Sequence, residues 1–167
     1  MELLLPIMQY QASYLSYIDE LGDEERYPFP LDFEHHDFEA MLAKMARFAQ
    51  GKDLPPGYAA STTLWLIYEG EIIGVTNIRH YLTTQIAHCG GHIGLSIRPS
   101  QRGKNWGKRL MQLSIEHLRQ RGVVQVHLHC LQSNLASAKA IIRNGGMLDS
   151  EVNMKGQWVQ RYVVDLK

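Results

Sequence analysis

Arg102-Gly103-Lys104-Asn105-Trp106-Gly107 is the stretch of this 167-residue chain whose residue types and spacing bear most directly on chemistry. An apolar, strand-like run ends just before it at Ile97-Arg98-Pro99, and a long amphipathic stretch begins at Trp106. A helix start carries unpaired N–H groups and a partial positive charge, which suits a phosphate. Gly103 and Gly107 let the backbone approach a pyrophosphate without Cβ interference. Arg102 and Lys104 add the means for charge-assisted contacts. The plain alternative is a strand-to-helix turn with solvated basic residues, and on these features alone both readings stand.

Other chemistry-bearing residues carry less. Eight histidines invite a test for metal. His127 and His129 share a strand face, but Cys130 points away from them, and His88-Cys89-Gly90-Gly91-His92 has no second ligand pair at zinc-like spacing. No metal site is expected. Cys89 and Cys130 read as small buried hydrophobes. Asn134 followed by Ser137 is a credible helix N-cap. Lys139 and Arg143 stand one turn apart on that helix, a spacing that fits a solvated face as well as an anion contact.

The elements that must position these residues follow from periodicity. Glu2 to Ile7 reads as a strand, Gln9 to Leu21 as a helix closed by Gly22, and Asp23 to Pro30 as an irregular loop. Asp37 to Gln50 is a second helix with Phe38, Met41, Leu42, Met45 and Phe48 on its buried side. Thr62 to Glu69 and Glu71 to Tyr81 form a tight hairpin, and His92 to Ile97 is a third strand stopped by Pro99. Trp106 to Gln120 is a long helix with Met111, Ile115 and Leu118 on one face, ended by Gly122. Val123 to Leu131 alternates as a strand, Asn134 to Asn144 is a short helix, and Met147 to Val152 with Gln157 to Leu166 closes as a hairpin. The order β-α-α-β-β-β-α-β-α-β-β describes an α+β domain, a mixed sheet with helices packed on it, over residues 1–167. The unit from His92 to Leu131 is expected as a right-handed crossover with its two strands parallel.

The loop resembles the Arg/Gln-x-x-Gly-x-Gly/Ala segment of the GNAT (GCN5-related N-acetyltransferase) superfamily, which holds the pyrophosphate of coenzyme A. Gly91-His92-Ile93-Gly94-Leu95-Ser96-Ile97-Arg98-Pro99 is similar to that family's fourth strand. Asn134-Leu135-Ala136-Ser137-Ala138-Lys139 through Asn144-Gly145-Gly146 resembles its Asn-x-x-Ser/Ala helix, and Glu69-Gly70-Glu71-Ile72-Ile73-Gly74 fits its hairpin. Order and spacing agree from about Thr62 to the end. Asn105 replaces the first of the paired glycines, and Asn is the residue besides glycine that best tolerates a left-handed backbone.

The resemblance implies an acetyl-CoA-dependent acetyltransferase acting on an amine by direct transfer. It implies cofactor contacts from Ile97, from the segment Arg102 to Gly107 including Trp106, and from Asn134, Ser137 and Lys139. Backbone N–H groups near Ser96 and Ile97 would face the thioester carbonyl, with Gly94 easing a bend. His92 falls at or next to the position where many members carry the Glu that activates the amine, and imidazole titrates in a useful range; Glu71, His80 and His88 lie nearby. Seven residues after the helix Asn, where the family often has a Tyr acid, stands Ile141. Tyr162, Tyr81 or water would substitute, or the thiolate would leave unassisted. Two other functions share the pattern: a non-catalytic acyl-CoA sensor, and a transferase of a longer acyl group.

Composition narrows the partners. Seventeen basic side chains offset seventeen acidic ones, so no global field favours nucleic acid or an anionic membrane. No apolar run approaches the roughly 20 residues of a membrane span, and no signal peptide is recognisable, so a cytoplasmic protein is expected. Asp23, Glu24, Glu25, Asp32 and Glu34 make the loop before the second helix acidic, which suits a cationic small-molecule or peptide amine or simply a solvated loop. Tyr27 and Phe29 line an acceptor pocket or anchor that loop. The fold is often found as a homodimer, though no residue here demonstrates one.

Overall fold

A computed structural model describes residues 1–166. The strands are β1 (Glu2–Leu4), β2 (Ser61–Tyr68), β3 (Glu71–Arg79), β4 (Ile93–Ile97), β5 (Gln125–Leu131), β6 (Met147–Met154) and β7 (Gln157–Asp165). The helices are α1 (Gln11–Leu21), α2 (Phe38–Ala49), α3 (Thr84–His88), α4 (Trp106–Gln120) and α5 (Leu135–Arg143). They assemble two antiparallel sheets, β1-β2-β3-β4 and β5-β7-β6. Helices α1 and α2 cover one face of the first sheet, with Tyr14, Tyr17, Phe38 and Met41 buried against Trp65, Ile72 and Val75. On the other face Met111, Ile115 and Leu118 of α4 pack with Leu64, Ile78, Val126 and Leu128. Both faces being covered explains why β2 and β3 read as near-continuous apolar runs.

The helices form where expected, to within a residue or two at their ends. Asp37 caps α2 by accepting from the Ala40 N–H at 3.0 Å, and Gly22 ends α1 at a φ of 54°. The short α3 was not anticipated. Five residues are too few to show a period, and the Thr83 hydroxyl, accepting from the Ile86 N–H at 3.3 Å, is its one local signal.

The crossover expectation needs correcting. β4 and β5 do not pair as parallel neighbours; they belong to different sheets, joined among the described residues by one isolated antiparallel bridge between Gly91 and Leu128. Side chains explain the break. His127 N–H donates to His92 Nδ1 at 2.9 Å and Gly90 N–H donates to His129 Nδ1 at 2.9 Å. Imidazoles thus take backbone donors that a ladder would have used, while His92 N–H to the His127 carbonyl, at 2.8 Å, runs main chain to main chain there. Beyond that junction the two sheets part.

Candidate active site

A cleft of about 560 Å³ opens where the sheets part. Leu95, Ser96 and Ile97 of β4 form one wall, Trp106, Gly107, Lys108 and Met111 of α4 the floor, and Asn134, Ser137, Lys139, Ala140 and Arg143 the facing wall. Glu24, Glu25 and Tyr27, from the chain after α1, close one end.

The floor is built to leave donors free. Side chains cap α2, α3 and α5 through Asp37, Thr83 and Asn134. No side chain caps α1, whose start continues from the 3-10 turn Met8–Tyr10, and none caps α4. Asn105 stands at its N-cap with φ 64° and ψ 14°, and Gly103 has φ 79°. These left-handed residues turn the chain so that the first-turn N–H groups of Trp106, Gly107 and Lys108 face out of the helix with its positive dipole end. Unpaired helix donors are costly in isolation and favourable against an anion. Lys108, Lys139 and Arg143 line the same cleft. Lys108 was missed in the sequence; its position three residues into α4 was the signal.

The two basic residues of the loop are placed otherwise. Arg102 lines the cleft, but its guanidinium forks onto Glu24 at 3.0 and 2.7 Å and gives Nε to the Ile97 carbonyl at 3.1 Å. Lys104 is outside the lining and donates to Gln101 Oε1 at 3.2 Å. Asn134 is both cleft wall and N-cap, its Oδ1 accepting from Ser137 N–H at 3.1 Å.

Strand register decides which β4 amides face the cleft. Arg98 N–H donates to Ile73 and Arg79 N–H to His92, and the pairing runs Ser96 opposite Val75 and Ile97 opposite Gly74. In an antiparallel ladder, bonded positions alternate with positions that point to the opposite edge. Residues 94, 96 and 98 therefore bond toward β3, and the N–H groups of Leu95 and Ile97 point toward the cleft; at the strand's entry His92 keeps only its carbonyl on Arg79 and turns its N–H to His127. The expectation for the backbone N–H of Ser96 is corrected on that ground. Its hydroxyl is spent as well, 2.7 Å from that of the buried Tyr17. Leu95 takes its place beside Ile97, and strand parity was the signal for it.

Two proposed acid–base residues sit outside the cleft. His92 is 4% exposed and fixed between the sheets by its Nδ1 contact. Burial, with His127 and Arg79 nearby, pushes it down to about 4. Tyr162 is 4% exposed, packs in the core with Ile141, and donates its hydroxyl to Gln160 at 2.9 Å. Burial raises its pKa. Neither lines the space where a ligand would lie. Tyr27 does, with its hydroxyl against β4: a Cβ on Gly94 would stand 2.9 Å from it. Cys89 and Cys130 are free, and no three metal-ligating side chains are gathered among the described residues.

Comparison with known proteins shows the family. The model of the acetyltransferase (GNAT) family matches residues 17–145, and the chain belongs to that family. Among solved structures it is similar to the ribosomal L7/L12 alpha-N-protein acetyltransferase RimL in complex with coenzyme A, at 15% identity and a TM-score of 0.71, over 98% of this chain and 93% of that one. The microcin C7 self-immunity acetyltransferase MccE, in complex with acetyl-CoA and AMP, gives 17% identity, a TM-score of 0.70, and coverage of 98% and 91%. A mutant of the spermidine N-acetyltransferase SpeG from Vibrio cholerae gives 12%, 0.65, and coverage of 99% and 95%. At such identities the likeness is one of fold. A search by sequence among curated proteins finds no match.

Proposed function

We propose that this chain, acting as one domain, is an N-acetyltransferase that moves the acetyl group of acetyl-CoA directly to a primary amine. The observation that carries this reading is the uncapped start of α4 facing the unpaired edge of β4 across one cleft. The N–H groups of Trp106, Gly107 and Lys108 receive the pyrophosphate. Lys108, Lys139 and Arg143 supply the balancing charge at the cleft mouth. Asn134 keeps its amide N–H₂ for the pantetheine arm while its oxygen caps α5.

Acetyl-CoA brings an activated thioester. The chain's own part is to hold that carbonyl against the N–H groups of Leu95 and Ile97, which are fixed donors where negative charge develops. Ile141 cannot donate a proton and Tyr162 lies outside the cleft, so the thiolate takes its proton from water or leaves unassisted, which a thiol tolerates near neutral pH. Water, or Glu25 through water, takes the amine proton.

The acceptor enters beside Glu25 and Tyr27. Asp23, Asp32 and Glu34 do not line the cleft, and Glu24 is neutralised by Arg102. Glu25 is thus the acidic group that favours a cationic amine, small molecule or peptide. The structural neighbours named for spermidine and for a protein α-amine fit that breadth. Among the described residues, no helix is long and apolar enough to cross a membrane.

The test is thiol release from acetyl-CoA with spermidine, an aminoglycoside and a free N-terminal peptide. Release with at least one amine and none with matched alcohols supports the reading. Coenzyme A binding with no release from any acceptor would make the chain a sensor instead.

A further inference from the structure

Arg102 opens the loop whose charge the sequence offers to an anion, yet its guanidinium is already engaged. Both terminal nitrogens fork onto the two oxygens of Glu24, and Nε donates to the Ile97 carbonyl at 3.1 Å. A planar fork held this way has fixed its plane and direction. The pairing holds Glu24 below the usual carboxylate range and raises Arg102 further.

The same joint is made one turn earlier. Glu20 accepts from Ser100 N–H at 3.1 Å and from the Ser100 hydroxyl at 3.0 Å, and it pairs with Arg98 at 3.3 Å. The buried Arg98 also donates to the Ser13 and Ile72 carbonyls at 2.7 and 2.9 Å. The segment from 98 to 102 is therefore sutured to α1 and to the chain leaving it. Glu24 begins the loop that, three residues on, lays Tyr27 against Gly94 of β4. One side chain thus touches both the loop beside the acceptor and the residue whose N–H faces the thioester.

We infer that Arg102 is a positioning residue and not a phosphate ligand: it ties the loop from 23 to 36 to the exit of β4, so that cofactor binding and the position of the acceptor loop depend on each other. This rests on the cofactor reading above. The side chains of the pair are 46% and 47% exposed, so the link contributes geometry more than energy, and its loss costs about threefold in affinity.

Two substitutions separate the alternatives by sign. Were Arg102 a phosphate ligand, Glu24→Gln would free it and remove a negative charge from the cleft, tightening coenzyme A. Arg102→Lys would also keep much of the affinity that Arg102→Gln loses. The positioning role predicts that Glu24→Gln, Arg102→Lys and Arg102→Gln each weaken coenzyme A by about the same threefold. Lysine cannot fork onto Glu24 while reaching Ile97. Deuterium exchange across residues 94–98 should rise together in all three.

The experiment is calorimetric titration of coenzyme A into the wild type and these variants, with exchange measured in parallel. Tightening by Glu24→Gln, retention by Arg102→Lys alone, or unchanged affinity in all three would overturn the proposal. A wild type that binds no coenzyme A would instead sink the proposed function. In that case exchange alone decides: faster exchange in Glu24→Gln supports the joint, and unchanged exchange refutes it.

Discussion

The two ends of the β4 strand handle polar groups in opposite ways. At its exit, the first turn of α4 has no side-chain cap, and Lys108, Lys139 and Arg143 line the cleft it opens onto. At its entry, His92 accepts from the His127 N–H of β5, His129 accepts from the Gly90 N–H in the turn before β4, and Arg79 donates to the Gly90 and Gly91 carbonyls at 3.2 and 2.8 Å. Leaving donors unpaired is costly unless a ligand completes them. We therefore propose the exit as the binding surface, and read the entry as a joint. Histidines that look catalytic by type are mortar by position.

The comparison breaks most visibly at Gly107. Gly107→Glu puts a carboxylate where we propose that the exit receives the pyrophosphate, and an acidic residue in a first helical turn does not harm the helix. Coenzyme A affinity should fall by about 100-fold, ~2.7 kcal/mol, with the melting temperature kept; calorimetry reads the first and a thermal melt the second. Next comes the strand edge. Ile97→Pro removes an N–H that faces the cleft and leaves the ladder to β3 intact, so kcat should drop about 10²-fold in a folded protein. Ser96→Pro removes a ladder donor and should cost stability first.

A smaller effect sharpens the joint. Burial holds His92 and His129 at about 4, while an unfolded histidine titrates near about 6.5. The unfolded chain binds more protons across that window, so this stability is fully present above about 6.5 and is lost as pH falls toward about 4. His92→Asn keeps an acceptor that does not titrate. Melts from pH 7 to 4 should then show a shallower decline than the wild type. Smallest of all, Tyr162→Phe should leave kcat within about twofold and cost about 1 kcal/mol for the lost bond to Gln160. A large kcat loss would return Tyr162 to the chemistry.

The sequence foretold the exit far better than the entry. Helix periodicity located α4 from Trp106 to Gln120, and the tolerance of Asn for a left-handed backbone anticipated the φ of 64° at Asn105. Those are local properties, written in neighbouring residues. Whether Arg102 faces an anion or Glu24 depends on a partner 78 positions away. The separation of β4 from β5 depends on imidazoles crossing between sheets, which the alternation of Val126, His127 and Leu128 does not reveal. Residue type suggested His92 as a base; only packing shows that its Nδ1 is already an acceptor.

The most direct test of the account is an amide-resolved NMR titration with acetyl-CoA. Perturbations should concentrate at residues 103–108, at Leu95 and Ile97, and at the start of α5 from Asn134, with His92, His129 and Tyr162 little changed. Shifts centred on His92 and His129, with the first turn of α4 undisturbed, would contradict it.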